Sequence, residues 1–135
     1  MAENIRLEVV TPEKSVVSEG AQIVMAPGTL GEFGVLSGHT PFLTTLKTGS
    51  LKYKDESGRE RFVFVSGGFA EALPDRVTVL AESAERRKDI DVQRAKAAVE
   101  RAEKRMQGTE IDIDYVRAKA ALLRAISRIQ LAETR

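Results

Sequence analysis

The segment KDIDVQRAKAAVERAEKRM, residues 88–106, places a carboxylate at Asp91 one helical turn ahead of a guanidinium at Arg94, with Arg101 and Arg105 beyond it. A second helix-forming run adds Arg117, Arg124 and Arg128. Guanidinium groups donate in a planar fork that matches phosphate and carboxylate oxygens, so such a set suits a bound polyphosphate or an acidic protein surface. Bond-making chemistry fits less well. The chain has no cysteine and a single histidine, His39, which removes disulfides, thiolate metal sites and His-centred catalytic clusters together. GTLGEFG is glycine-rich but lacks the Lys-Ser/Thr pair that grips phosphate in a P-loop, and VSGGF lacks the spacing of a nucleophile elbow. Ser66 therefore reads as a strand-end turn residue, and no catalytic residue is expected.

Each candidate has a plainer structural role to weigh against. An acid at a helix N-terminus caps it and favours the dipole, and either Asp89 or Asp91 could do so. Capping and ligand binding coexist if Asp89 caps while Asp91 accepts a bond from a ligand. A charge run is most often a solvated face. Segregation argues against that here. Taking 100° per residue and the apolar stripe as the front, Arg94, Arg101 and Arg105 lie about 80–120° to one side of the first helix. Arg117, Arg124 and Arg128 lie about 90–130° to the same rotational side of the second. Antiparallel packing reverses the sense, so both rows fall on one edge, with Asp91 and Asp114 the acids close to it.

The elements that must carry these residues differ in period along the chain. IRLEVV alternates Ile5, Leu7 and Val9 against Arg6 and Glu8, and AQIVMA, PFLTTL, SLKYK, RFVFV and RVTVLA follow at short intervals. DESG between SLKYK and RFVFV predicts a hairpin with a short loop containing glycine. The pattern predicts an antiparallel β-sandwich or barrel of about ten short strands over residues 1–84. After Glu82, Ala, Glu, Lys and Arg dominate, as helices prefer. Ala95, Ala98, Val99, Ala102 and Met106 form one stripe, and Tyr115, Ala118, Leu122, Ile126 and Ile129 another. QGTEID between them offers Gly108 as a C-terminal cap and polar residues to restart a helix. Residues 85–135 thus read as an antiparallel two-helix hairpin, making the chain α+β. An alanine-rich seam buries little apolar area, so this hairpin should hold its partners weakly and be able to open.

With 135 residues and 42% apolar composition, the chain is sized for one packed domain and an appendage. Residues 1–84 carry 8 Lys+Arg against 11 Asp+Glu, net −3, whereas residues 85–135 carry 13 against 9, net +4. The halves should face different partners. Nucleic acid is not expected, because the β half has no basic strip and aromatics are only 5%. No run approaches the ~18 apolar residues of a membrane span, and a soluble, untargeted chain is the expectation.

GEFGVLSGHTPFLTTLKTGSLKY (residues 31–53), VSGGFAE (65–71), VTVLAESAER and DIDVQRAKAA resemble, in order and spacing, the epsilon subunit of F-type ATP synthases, over essentially the whole chain. The resemblance implies a non-catalytic rotor-stalk subunit that couples proton flow to ATP synthesis, peripheral to the cytoplasmic face of a bacterial inner membrane and bound to it only through the complex. Its implied partners are the gamma subunit and the c-subunit ring, which Leu30, Glu32, Phe33 and His39 would face. An extended hairpin would reach the alpha and beta subunits and inhibit ATP hydrolysis, with Arg117, Arg124 and Arg128 making inhibitory contacts. Some members bind a regulatory ATP on the folded hairpin, and no cofactor is required. Ile90, Asp91, Arg94 and Ala95 match that motif, Glu85 stands at the position of its upstream acid, and Arg101, Arg124 and Arg128 match its further arginines. The alternative is an interaction module whose arginine edge grips only acidic surfaces of partner subunits, without nucleotide.

Overall fold

The structure, a computed structural model, describes residues 3–108 and 112–134, with side chains of the second helix described from Tyr115 onward. The chain divides into two compact units, one ending at Arg86 and one beginning at Arg87.

The first unit is a sandwich of nine strands among the described residues: β1 Ile5–Val10, β2 Ser15–Gly28, β3 Gly31–Val35, β4 Phe42–Thr45, β5 Gly49–Asp55, β6 Glu60–Ser66, β7 Phe69–Leu73, β8 Arg76–Leu80 and β9 Ser83–Arg86. Their order is β4-β7-β8-β1-β2-β5-β6-β9, with β3 also on β2. About ten strands were expected and nine are described, and the sandwich is antiparallel apart from one pair. β1 and β8 run parallel, from Arg6↔Arg76 to Val10↔Leu80. The sheet does not close into a barrel. β2 runs unbroken through Gly20. Its first half pairs with β1 and its second with β3 and β5, so one strand serves both layers.

Alternation builds the core as the pleat requires. Ile5, Leu7 and Val9 of β1 are buried, as are Val77 and Val79 of β8 and Leu51 and Tyr53 of β5. The DESG turn joins β5 to β6 as predicted. Asp55 Oδ1 accepts from the Ser57 and Arg59 amides, each at 3.0 Å, and from the Ser57 hydroxyl at 2.6 Å. Arg61 Nε donates to Oδ2 at 3.1 Å. The Ser57 hydroxyl leads these bonds in holding the Asp55 carboxyl down at about 2. Gly58, at φ 85°, supplies the left-handed residue of this turn.

β9 is a strand where composition suggested helix. SAER has no strong β former, but the free edge of β6 offers a ladder from Val63↔Arg86 to Ser66↔Ser83, and pairing overrides propensity. A second long-range constraint lies at Gly68, φ 93°, where a Cβ would stand 2.0 Å from the Leu80 carbonyl.

The second unit holds a short 3-10 turn, Arg87–Asp89, then α1 Val92–Gln107 and α2 Asp112–Glu133 packed together. Its seam is narrower than the apolar stripes suggested. Ala95 and Ala102 of α1 and Ala118 and Ala125 of α2 are buried, at seven-residue spacing. Ala98, Val99, Met106, Leu122 and Ile129 flank them half-buried, while Tyr115 and Ile126 are 46% and 38% exposed. Alanine at the line of contact lets the backbones approach, which leaves room for bulky side chains only beside it. Arg87 Nη1 donates to the Thr134 carbonyl at 2.9 Å and ties the turn to the end of α2. Gly108 is the C-cap, but at φ −70° it does not use the left-handed freedom that favours glycine there. The restart residues Thr109 to Ile111 lie outside the described residues.

Candidate functional site

The Ile90-Asp91-x-x-Arg94-Ala95 motif splits between packing and surface. Ile90 and Ala95 are 8% and 4% exposed and fix the start of α1, whereas Asp91 and Arg94 are exposed. Asp91 has extended backbone angles, φ −84° and ψ 98°, and its Oδ1 accepts from the Arg94 amide at 3.0 Å. It is the N-cap. Of the two acids the sequence offered as caps, Asp91 takes the role, and Asp89 sits inside the 3-10 turn. The Ala95 amide donates to the Asp91 carbonyl at 3.0 Å, beginning the helical ladder. The cap uses one carboxylate oxygen.

With the buried alanines as the front of each helix, Arg94, Arg101 and Arg105 lie about 80–120° to one side of α1. Arg117, Arg124 and Arg128 lie about 80–120° to the same rotational side of α2, hence along one edge of the antiparallel pair. Arg94, Arg101, Arg105 and Arg117 are exposed, and Arg124 and Arg128 are half-buried. This edge gathers forked donors along two helices, and a multiply charged anion or an acidic helix meets that geometry. The side chain of Asp114 lies outside the described residues. Glu85 belongs to the first unit, half-buried on β9 opposite Phe64.

α2 exposes Tyr115 and Ile126 on the side of the seam away from the arginines, and Val116 and Leu123 on its back. Reading for an apolar seam assigned Tyr115 and Ile126 to the core and passed over Val116 and Leu123. The signal available was the number of apolar positions in α2, more than an alanine seam can bury.

The segment from Leu30 to His39 is a β-hairpin tip and the loop after it. Leu30 is fully exposed between β2 and β3, and Glu32 is exposed opposite Pro27. Phe33 packs edge-on to Phe42, with ring centroids 5.1 Å apart at 84°. His39 lies 5.1 Å from the same ring, and its Nδ1–H donates to the Thr40 carbonyl at 2.7 Å. Phe33 and His39 thus brace this end of the sandwich, while Leu30 and Glu32 face outward. Leu36 and Leu43, 56% and 67% exposed, join the outward set. The alternation of PFLTTL already placed Leu43 on the face opposite Phe42. Ser66 ends β6, buried, its hydroxyl 3.1 Å from that of Thr48.

Two family models match in succession: ATP synthase delta/epsilon chain, beta-sandwich domain, over residues 4–87, and ATP synthase delta/epsilon chain, long alpha-helix domain, over residues 88–133. The chain is 72% identical over 107 residues to the ATP synthase epsilon chain of Desulfosudis oleivorans, covering 79% of this chain and 80% of that one. It is 73% identical over 106 residues to the ATP synthase epsilon chain of Desulforapulum autotrophicum, covering 78% of each. Among solved structures, a chain of the Euglena gracilis mitochondrial ATP synthase superposes with a TM-score of 0.80 at 24% identity, covering 92% of this chain and 78% of that one, and so shares the fold.

Proposed function

From the family to which this chain belongs, the delta/epsilon chains of ATP synthase, in which it is an epsilon-type, non-catalytic component, we propose that the hairpin is a regulatory arm. It restrains ATP hydrolysis when extended toward the alpha and beta subunits and is held folded by ATP. The observation that carries this reading is the row of six arginines along one edge of a hairpin whose seam is alanine. Such an edge binds a polyphosphate through charge-assisted bonds, and such a seam is weak enough for the ligand to decide its state. A ligand at 100 times its Kd adds about 2.7 kcal/mol to the form that binds it. Arg94, Arg101, Arg124 and Arg128 would hold the phosphates or base, and the Asp91 carboxylate would accept from the nucleoside, with Ile90 and Ala95 keeping the helix start in place.

The sandwich would sit on the gamma subunit and the c-subunit ring, with Leu30 and Glu32 facing the ring and Phe33 and His39 stiffening that end. This puts the chain on the cytoplasmic face of a bacterial inner membrane, held there by the complex. Among the described residues no helix is long and apolar enough to cross a membrane.

A second reading has a specific observation in its favour. The exposed strip of Tyr115, Val116, Leu123 and Ile126 suits a helix that packs against a protein, with Arg117, Arg124 and Arg128 gripping its acidic residues and no nucleotide involved. Calorimetry of the full chain with ATP, ADP and GTP separates the two. Heat with ATP that Arg94→Ala abolishes supports the nucleotide arm. No heat at millimolar ATP, with hydrolysis by the complex raised by Arg117→Glu, Arg124→Glu and Arg128→Glu together, leaves the protein-gripping arm.

A further inference from the structure

The two helices are joined at one end by the chain between Gln107 and Asp112. α2 has 22 residues and α1 has 16, so at the other end α2 runs past the start of α1 by roughly 9 Å at 1.5 Å per residue. There its last turn meets the 3-10 turn Arg87–Asp89.

The charges at the two helix ends differ. The last turn of α1 carries Lys104 and Arg105, cations that the negative end of a helix dipole favours. The last turn of α2, residues 130–133, has no base and finishes on an exposed acid, Glu133, where the dipole disfavours one. Thr134 closes that turn from within: its amide donates to the Leu131 carbonyl at 3.1 Å and its hydroxyl to the Gln130 carbonyl at 2.8 Å. The missing cation comes from 47 residues away, where Arg87 Nη1 donates to the Thr134 carbonyl at 2.9 Å. The Arg87 carbonyl meanwhile accepts from the Ile90 amide at 3.3 Å, one residue before Asp91 caps α1. A single residue thus serves the end of one helix with its side chain and the beginning of the other with its backbone.

We propose that Arg87 is the clasp of the hairpin's open end: its guanidinium supplies the charge that the C-terminus of α2 lacks, and separation of α2 from α1 starts where it lets go. The seam leaves room for such a contact to matter, because its buried residues are alanines and contribute little apolar area. As the gate of a regulatory arm the clasp rests on the function proposed above, whereas as a contact within the hairpin it stands on the geometry alone.

Native-state hydrogen exchange on the full chain tests it. In Arg87→Ala, amides of residues 126–133 should exchange about two- to fivefold faster, the scale of a cation at an exposed helix C-terminus, with those of residues 115–118 much less changed. Arg87→Ala removes every contact of that side chain, so a second variant isolates the charge. Adding Glu133→Lys places a cation in the last turn of α2 itself and should return exchange close to the wild-type rate. Unchanged exchange at residues 126–133 in Arg87→Ala overturns the clasp. So does a double variant that exchanges as fast as Arg87→Ala, or a rise spread evenly along α2. ATP hydrolysis by the assembled complex then tests the gate separately. Faster exchange with hydrolysis lowered by Arg87→Ala supports clasp and arm together, and faster exchange with unchanged hydrolysis keeps the clasp and overturns its part in the arm.

Discussion

Asp91 has two oxygens and two candidate duties, and substitution can separate them. The Arg94 amide is held by Asp91 Oδ1 and the Ala95 amide by the Asp91 backbone carbonyl, both at 3.0 Å. Asp91→Ala removes the first bond and leaves the second. Loss of such a cap costs about 1 kcal/mol, within a range of about 0.5–2, so local opening at the start of α1 should rise about fivefold. Asp91→Asn keeps an accepting oxygen and loses only the charge at the helix N-terminus, worth about 0.3–1 kcal/mol on an exposed site. Hydrogen exchange should therefore show the Arg94 amide deprotected in the alanine variant and nearly native in the asparagine variant. Calorimetry with ATP is then run on the asparagine variant, whose helix start is intact. Loss of ATP heat there assigns the carboxylate to the ligand; retained heat leaves Asp91 as a cap alone. An Arg94 amide equally protected in wild type and in Asp91→Ala would refute the capping argument, because that bond is its whole content.

Two further outcomes follow from the sandwich. Gly68→Ala should destabilise it by more than about 2 kcal/mol, since the new Cβ meets the Leu80 carbonyl at 2.0 Å on a backbone at φ 93°; a denaturant midpoint within error of wild type would refute the close approach. Burial, and then the bond to Glu19, pushes the Tyr53 phenol up to about 12 from its usual 10. The folded chain thus keeps a proton that the unfolded chain loses between pH 10 and 12. Stability should fall over that window by at most about 2.7 kcal/mol, and be flat below pH 10 for this group. Tyr53→Phe should lack that part of the alkaline loss, and an identical pH profile in the two chains would count against it.

Several features of this protein follow from its sequence because they are local. The alternation of IRLEVV, SLKYK and RVTVLA set three strands and their buried faces, RFVFV marked a fourth whose Val63, Phe64 and Val65 are all buried, and DESG set the turn between two of them. The 3.6-residue period placed six arginines on one edge of a hairpin, since helix geometry converts spacing directly into direction. What depended on remote partners was not legible there. SAER is a strand because it pairs with the edge of β6, and β8 is the parallel ladder partner of β1, from Arg6↔Arg76 to Val10↔Leu80, neither of which periodicity encodes. The bulge at Val16 and the reach of Arg86 to its carbonyl join residues 70 positions apart. Alanines rather than the larger apolar residues form the helix seam because two backbones, once close, exclude bulk from the line between them. Asp91 rather than Asp89 caps α1 because the 3-10 turn before it takes up Asp89, a choice that composition leaves open.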